Sequence, residues 1–109
     1  MKGVIWSCDP MGDGIEKLQY IRDRYAWSGV NPVRETYVRH NSFIEFENGD
    51  TWRIASACES SRGIRCNIAW IDARCSDEFV RTIIMRTLCC CNGPRHYEFF
   101  MPRSDNCIE

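Results

Sequence analysis

The chain opens with an apolar run, Gly3 to Cys8, that stops at Asp9-Pro10-Met11-Gly12-Asp13-Gly14. A short apolar run bounded by turn residues reads as a strand ending in a turn. Ile15, Leu18, Ile21 (or Arg22) and Tyr25 then recur at helical spacing, with Asp13 as a candidate N-cap and Gly29 and Pro32 closing the segment. Phe43 to Glu47 and Asp50 to Ala55 are strand-like runs on either side of Asn48-Gly49, the strongest short-range hairpin signal in the chain. Thr36 to Arg39 offers a further short strand beside them, although Arg39-His40-Asn41 interrupts the apolar pattern.

After the polar loop Ser60-Ser61-Arg62-Gly63, the run Asn67-Ile68-Ala69-Trp70-Ile71-Asp72 is short, continuously apolar and closed by a carboxylate. It reads as a buried central strand with the Asp emerging at its carboxyl end. Ser76 precedes Asp77 and Glu78, and Phe79, Val80, Ile83, Ile84 and Leu88 form one apolar stripe. That is an amphipathic helix with an N-cap and an acidic first turn. Asn92-Gly93-Pro94 stops it, and His96 to Met101 supplies one more strand, ended by Pro102. The order β, α, β-hairpin, β, α, β predicts an α/β fold: a small mixed sheet with parallel central strands, a β-hairpin and two flanking helices. At 109 residues, with no internal repeat or low-complexity linker, residues 1–109 form a single domain.

Hydrophobic residues at 44% and charged residues at 27% belong to a packed chain, not a disordered one. A formal net charge of −1 excludes both a uniformly basic nucleic-acid glove and an acidic DNA mimic, so any nucleic-acid contact has to be local. Of the 14 basic residues only Lys2 and Lys17 are Lys; the rest are Arg, the better residue for bidentate contacts to phosphate or carboxylate. Eight cysteines invite a disulfide reading. The N-terminal residues hold no signal-peptide apolar region, however, and no stretch approaches a membrane span. A reducing cytoplasm is therefore expected, with Cys58, Cys66, Cys75 and Cys107 acting as small buried apolar residues. Cys89-Cys90-Cys91 followed by His96 is the one local cluster with metal-ligand chemistry. It lacks a Cys-x-x-Cys knuckle and its adjacent side chains diverge, so neither a metal nor a cofactor is assigned.

Ligands in open α/β sheets bind outside the carboxyl ends of the strands, which puts Asp72, Cys8-Asp9 and the segment after Met101 near one edge. An Asp closing an apolar strand is the way phosphate-transfer ATPases hold Mg²⁺ indirectly, and it is also a common end of any buried strand. His40 and His96 lie far apart without a triad context. Asp9 beside Cys8 raises a thiol pKa and argues against a reactive thiolate there. Arg62 and Arg65, with exposed loop amides, are candidates for anion binding; a solvated loop is the plainer use of the same residues. Arg34, Arg39 and Arg53 with Tyr37 and Trp52 form an Arg and aromatic interleave near the hairpin, suited to phosphates and stacking. Core packing explains Trp52 at least as well.

The stretch Ile44 to Ile54, then Arg62-Gly63, then Ile68-Ala69-Trp70-Ile71-Asp72 resembles the ATPase domain of phage terminase large subunits, the motors that package DNA into capsids. In that family a hairpin with an Asn-Gly-Ser-like turn precedes a polar loop carrying Arg-Gly and then the Walker B strand, which makes Asp72 the Walker-B-like residue here. The resemblance is best from Phe43 to Leu88. At the flanks, Gly3 to Cys8 looks like an earlier core strand, and Pro102-Arg103-Ser104-Asp105-Asn106 is loosely similar to the family's post-strand coupling motif. The departures matter more. No Walker A loop, G-x-x-x-x-G-K-[ST], is present, so the phosphates lack their nest of backbone N–H groups and their Lys. Ala73 stands where the family has its catalytic Glu, and Asp77 and Glu78 fall at the next helix's N-terminus, where capping is their more natural role. The chain has no room for the family's nuclease domain. Autonomous ATP hydrolysis and DNA cleavage are both unexpected.

The resemblance and its losses together imply a non-catalytic, phage-encoded binding protein: a truncated, partial P-loop ATPase-like core acting on a protein or nucleoprotein complex in the cytoplasm of the infected bacterial host. Inhibition of a host defence complex, as by anti-CRISPR proteins, is one use of such a module. The alternative is a component of the DNA-packaging motor in which Asp72 and an Arg such as Arg62 or Arg74 contribute to a partner's ATPase site in trans. A third is a domain remnant with no selected function. No membrane partner is expected.

Overall fold

The computed structural model describes residues 1–38, 41–57, 64–89 and 95–101. Its strands are β1 (Lys2–Ser7), β2 (Pro32–Thr36), β3 (Phe43–Phe46), β4 (Thr51–Ser56), β5 (Ile68–Asp72) and β6 (His96–Phe100). They form one mixed sheet in the order β2-β3-β4-β1-β5-β6. β4, β1, β5 and β6 run parallel, and the hairpin adds β3 antiparallel to β4 and β2 antiparallel to β3. The predicted α/β class and parallel centre are what the chain adopts.

Two helical stretches flank the sheet. The first, α1 (Ile15–Trp27), is reached through a π turn at Pro10–Gly14. The second is made of α2 (Asp77–Phe79), a π segment at Val80–Ile84 and α3 (Met85–Cys89). Ser76 caps it by accepting a hydrogen bond from the Phe79 N–H at 3.1 Å, with Asp77 and Glu78 in the first turn as predicted. Asp13 does not cap α1: the N-cap position is Gly14, and Asp13 is buried inside the preceding turn.

Side chains alternate across a strand, so the pairing register assigns each residue to a face. On one face Ile5, Ile44, Phe46, Trp52 and Ile54 pack against Leu18 and Ile21 of α1. On the other, Val4, Trp6, Ala55, Ala69 and Ile71 pack against Val80, Ile83, Ile84 and Leu88, the apolar stripe read from sequence. β1 lies between β4 and β5 and is buried from Gly3 to Ser7, as a parallel strand covered on both faces must be. Gly3 sits under the Trp52 indole, where a Cβ would collide with the ring.

The hairpin forms at the predicted place, through a turn of three residues, Glu47 to Gly49. Phe46 N–H donates to the Asp50 carbonyl at 2.9 Å and Gly49 N–H to the Phe46 carbonyl at 3.0 Å. Gly49 takes φ +94°, the left-handed position that this turn needs. Its partner strand differs from expectation: β2 covers Pro32–Thr36, not Thr36 to Arg39. Pro32, read as a helix stop, is the first residue of an edge strand, one of the few strand positions where the missing N–H costs nothing. α1 is fastened to the hairpin by Tyr25. Its ring stacks on Phe46 with centroids 3.9 Å apart, its hydroxyl donates to Asp50 Oδ2 at 2.8 Å, and it accepts from Trp52 Nε1 at 3.1 Å.

Candidate functional site

The connection after β1 leads to α1 on one face of the sheet, and the connection after β5 leads to the second helical stretch on the other. The carboxyl ends of these adjacent strands therefore form a switch point, the usual ligand position in open α/β sheets. Asp72 ends β5 there, fully buried. Its Oδ1 accepts from the Arg74 backbone N–H at 2.9 Å and from Arg74 Nε at 3.1 Å; its Oδ2 accepts from Arg74 Nη2 at 2.8 Å and from the Cys8 N–H at 3.1 Å. Arg74 Nη2 also donates to Asp13 Oδ2 at 2.7 Å. The predicted proximity of Asp72 and Cys8 is present, and Arg74 joins two buried carboxylates that are distant in sequence.

Burial pushes the Asp72 carboxyl up, but the hydrogen bonds and charge of Arg74 and the Cys8 N–H outweigh it and hold the carboxyl below its ordinary value. Both nearby thiols are raised. For Cys8 the causes are burial and then the Asp72 carboxylate; for Cys75, burial and then Cys8, to about 12. Chemically the cluster is a closed ion pair. A metal ion or phosphate meeting Asp72 here has to displace a guanidinium that already satisfies both carboxylate oxygens. Ala73 is exposed beside it, with its N–H donated to the Phe100 carbonyl at 3.0 Å. Among the described residues no group of three His, Cys, Asp or Glu side chains is placed to hold a metal.

The anion-binding candidates separate by face. Arg34 pairs in register with Glu45, and Arg53 with both Phe43 and Val4, so these residues share the sheet face that carries the second helical stretch. Arg34, Arg53 and Arg65 are all exposed and line one groove of about 620 Å³ together with Lys2, Phe43 and Ile64. Arg34 Nη2 lies 3.2 Å from Glu45 Oε1, and its guanidinium sits 5.0 Å from the Phe43 ring centroid. The two aromatic candidates are not available to stack on a ligand in that groove. Trp52 borders the groove but is 4% exposed with its ring packed on the α1 face, and Tyr37 packs against the same cluster while donating to Glu35 Oε1 at 2.7 Å. Arg39, Arg62, His40, Cys58, Cys107, the Ser60 to Gly63 loop, the Cys90-Cys91 pair and the segment after Met101 lie outside the described residues.

Sequence reading missed three things. Lys2 joins the groove because β1 pairs with β4. Asp13 is a partner of Arg74 and not a cap. Strand alternation was the signal available for the third: neighbouring Trp52 and Arg53 cannot face the same ligand. Comparison with protein-family models, with curated proteins and with solved structures returns no significant match for this chain.

Proposed function

We propose that this chain is a phage-encoded, non-catalytic binding protein, built like a terminase ATPase core without its phosphate loop, which grips the nucleic-acid backbone of a nucleoprotein complex. The observation that carries the proposal is the division of labour between two places. Asp72, the residue an ATPase would use, is closed off by Arg74 and Asp13, whereas Arg53, Arg65 and Lys2 line one exposed groove together with Arg34, which is paired with Glu45, the single carboxylate among the groove's described lining residues. Phosphates suit such a groove: Arg supplies planar, bidentate donors, and the contact does not depend on base identity. With Trp52 and Tyr37 committed to the opposite face, backbone gripping takes the place of base stacking. A host defence complex carrying a guide nucleic acid is a target of this chemistry, which is the anti-CRISPR form of the proposal.

Affinity capture of the tagged protein from phage-infected lysate, with and without nuclease treatment, tests it. Recovery of a defence nuclease or its guide complex, lost when the nucleic acid is digested, is the expected result. Recovery of nothing above background would overturn it.

One observation favours a second reading, a packaging-motor component acting in trans. β6 is an edge of the sheet, and Tyr97, Phe99 and Met101 are 49%, 54% and 80% exposed beside the strand that ends in Asp72. An additional strand from a partner docked on β6 would extend the sheet next to the Walker-B-like position. Magnesium-dependent ATPase activity that appears only on mixing with a motor subunit, and is lost in Asp72→Ala, is its signature. Unchanged activity in that variant would count against it.

A further inference from the structure

Lys17 and Tyr20 are three residues apart on α1, so their side chains share one face of the helix. That face meets β5 and β6. The register sets Trp70 opposite Glu98 and Asp72 opposite Phe100, which leaves Trp70 and Phe100 on one face of the sheet, two positions apart. The three rings converge on the Lys17 ammonium. Its Nζ lies 4.3 Å from the Trp70 ring centroid, 4.8 Å from that of Tyr20 and 5.4 Å from that of Phe100. Each distance is inside the reach of about 6 Å over which an aromatic face attracts a cation. Among the described residues no carboxylate forms an ion pair with Lys17, so ring faces are what hold its charge.

The cage is reachable from solvent. Tyr20 is 44% exposed, and Lys17, Trp70 and Phe100 are half-buried. A cleft of about 390 Å³ opens onto it, lined by Lys17, Tyr20 and Phe100 together with the carboxylates Asp13, Glu16 and Asp23. That volume falls in the range of about 300–1,000 Å³ typical of small-molecule sites. Asp13 is engaged by Arg74, yet three carboxylates against one ammonium still give the cleft a field that favours a cation.

The geometry points to this cage as a binding site for a small quaternary ammonium compound of the choline type, with Lys17 as the internal cation that fills it when no ligand is bound. A primary ammonium is compact and strongly hydrated, and its three N–H donors find no acceptor in a ring face. A trimethylammonium group has no N–H to satisfy, and its methyl groups cover more of the three rings. Exchange therefore favours the ligand, while the flexible Lys17 stem returns its ammonium to water. Lys17 also competes: the apparent affinity is reduced by the fraction of molecules in which it occupies the cage. The cage lies on the α1 face of the sheet and the groove of Arg34, Arg53 and Arg65 on the other, so this inference stands or falls independently of the proposed function.

The test is an NMR titration of the full, nitrogen-15-labelled chain with choline chloride at constant ionic strength, following the indole N–H signals of its four tryptophans. The expected result is a saturable shift of the Trp70 signal, with those of Trp6 and Trp27 unmoved. The uncharged isostere 3,3-dimethylbutan-1-ol should bind about three- to tenfold more weakly, because it fills the same space without the charge that the rings attract. Lys17→Met, which removes the internal competitor from a helix surface position, should bind choline about five- to tenfold more tightly. Two results on the unmutated chain would overturn the inference without depending on any variant's folding: a Trp70 signal that does not respond to choline, or equal affinities for choline and its isostere. Unchanged affinity in a folded Lys17→Met variant would overturn the role given to Lys17.

Discussion

Asp72, Arg74 and Asp13 show how much depends on a single guanidinium. Arg74 is 17% exposed at its side chain, Asp13 6% and Asp72 fully buried, so truncating the arginine removes the guanidinium that these two buried carboxylates share. Arg74→Ala is expected to cost about 3–5 kcal/mol, the range for breaking a buried pair from one side, read as a lowered midpoint in urea denaturation. The same pair sets an acid limit. The folded Asp72 carboxyl lies below its unfolded value of 3.8, so its contribution is present above that pH and is lost as pH falls through the lower folded value. Without Arg74 the folded carboxyl rises toward or above its unfolded value, so in Arg74→Ala that acid-side loss should shrink or reverse and the variant's deficit should narrow as pH falls, which denaturation midpoints measured across the acid range would register. An unshifted acid limb would mean that Arg74 is not what holds Asp72 ionised. Asp72 itself was legible in the sequence, from a strand pattern ending in a carboxylate. Asp13 was not, because a pairing across the fold leaves no trace in local spacing.

Among the elements, those with a strong period were read correctly, and those defined by one special residue were not. The apolar stripe of Val80, Ile83, Ile84 and Leu88, the Asn48-Gly49 hairpin and the two-faced burial of β1 and β5 all follow from periodicity or turn chemistry. β2 was displaced because Pro32 carries two local meanings, helix stop and edge-strand start, and only the pairing with Phe46 decides between them. Docking of α1 on the hairpin depends on Tyr25, whose hydroxyl serves both Asp50 and Trp52 Nε1. Tyr25→Phe should destabilise the fold by about 1–3 kcal/mol, since a partly buried indole N–H loses its acceptor. Burial, opposed by Trp52 and reinforced by Asp50, pushes the Tyr25 hydroxyl up to about 12, above its ordinary value of 10. A group raised on folding stabilises fully below its unfolded pKa and loses that contribution as pH rises through the folded one. Stability should therefore fall between pH 10 and about 12 and fall less in Tyr25→Phe, as followed by tryptophan fluorescence.

At the scale of the whole molecule, the two helical layers are offset. α1 covers the face over β1 and the hairpin, and the second helical stretch packs over β1 and β5. Among the described residues the hairpin half of that second face carries no helix, and there the groove of Arg34, Arg53, Arg65 and Lys2 opens. This arrangement reconciles a net charge of −1 with a local cationic site. The Arg-rich composition and the residues Arg34, Arg53 and Arg65 were visible in sequence. Their convergence in one groove, and the turning of the Trp52 and Tyr37 rings to the α1 face, required the sheet register.

The salt dependence of DNA binding, measured by fluorescence anisotropy on a labelled oligonucleotide with the unmutated chain and with Arg53→Glu, tests the gripping of phosphates most directly. With about three to four phosphates neutralised, log K should fall against log salt concentration with a slope of about −3. Arg53→Glu should weaken binding uniformly across sequences and reduce that slope by about one. A flat salt response, or an Arg53→Glu variant that binds like the parent, would contradict a phosphate-gripping groove.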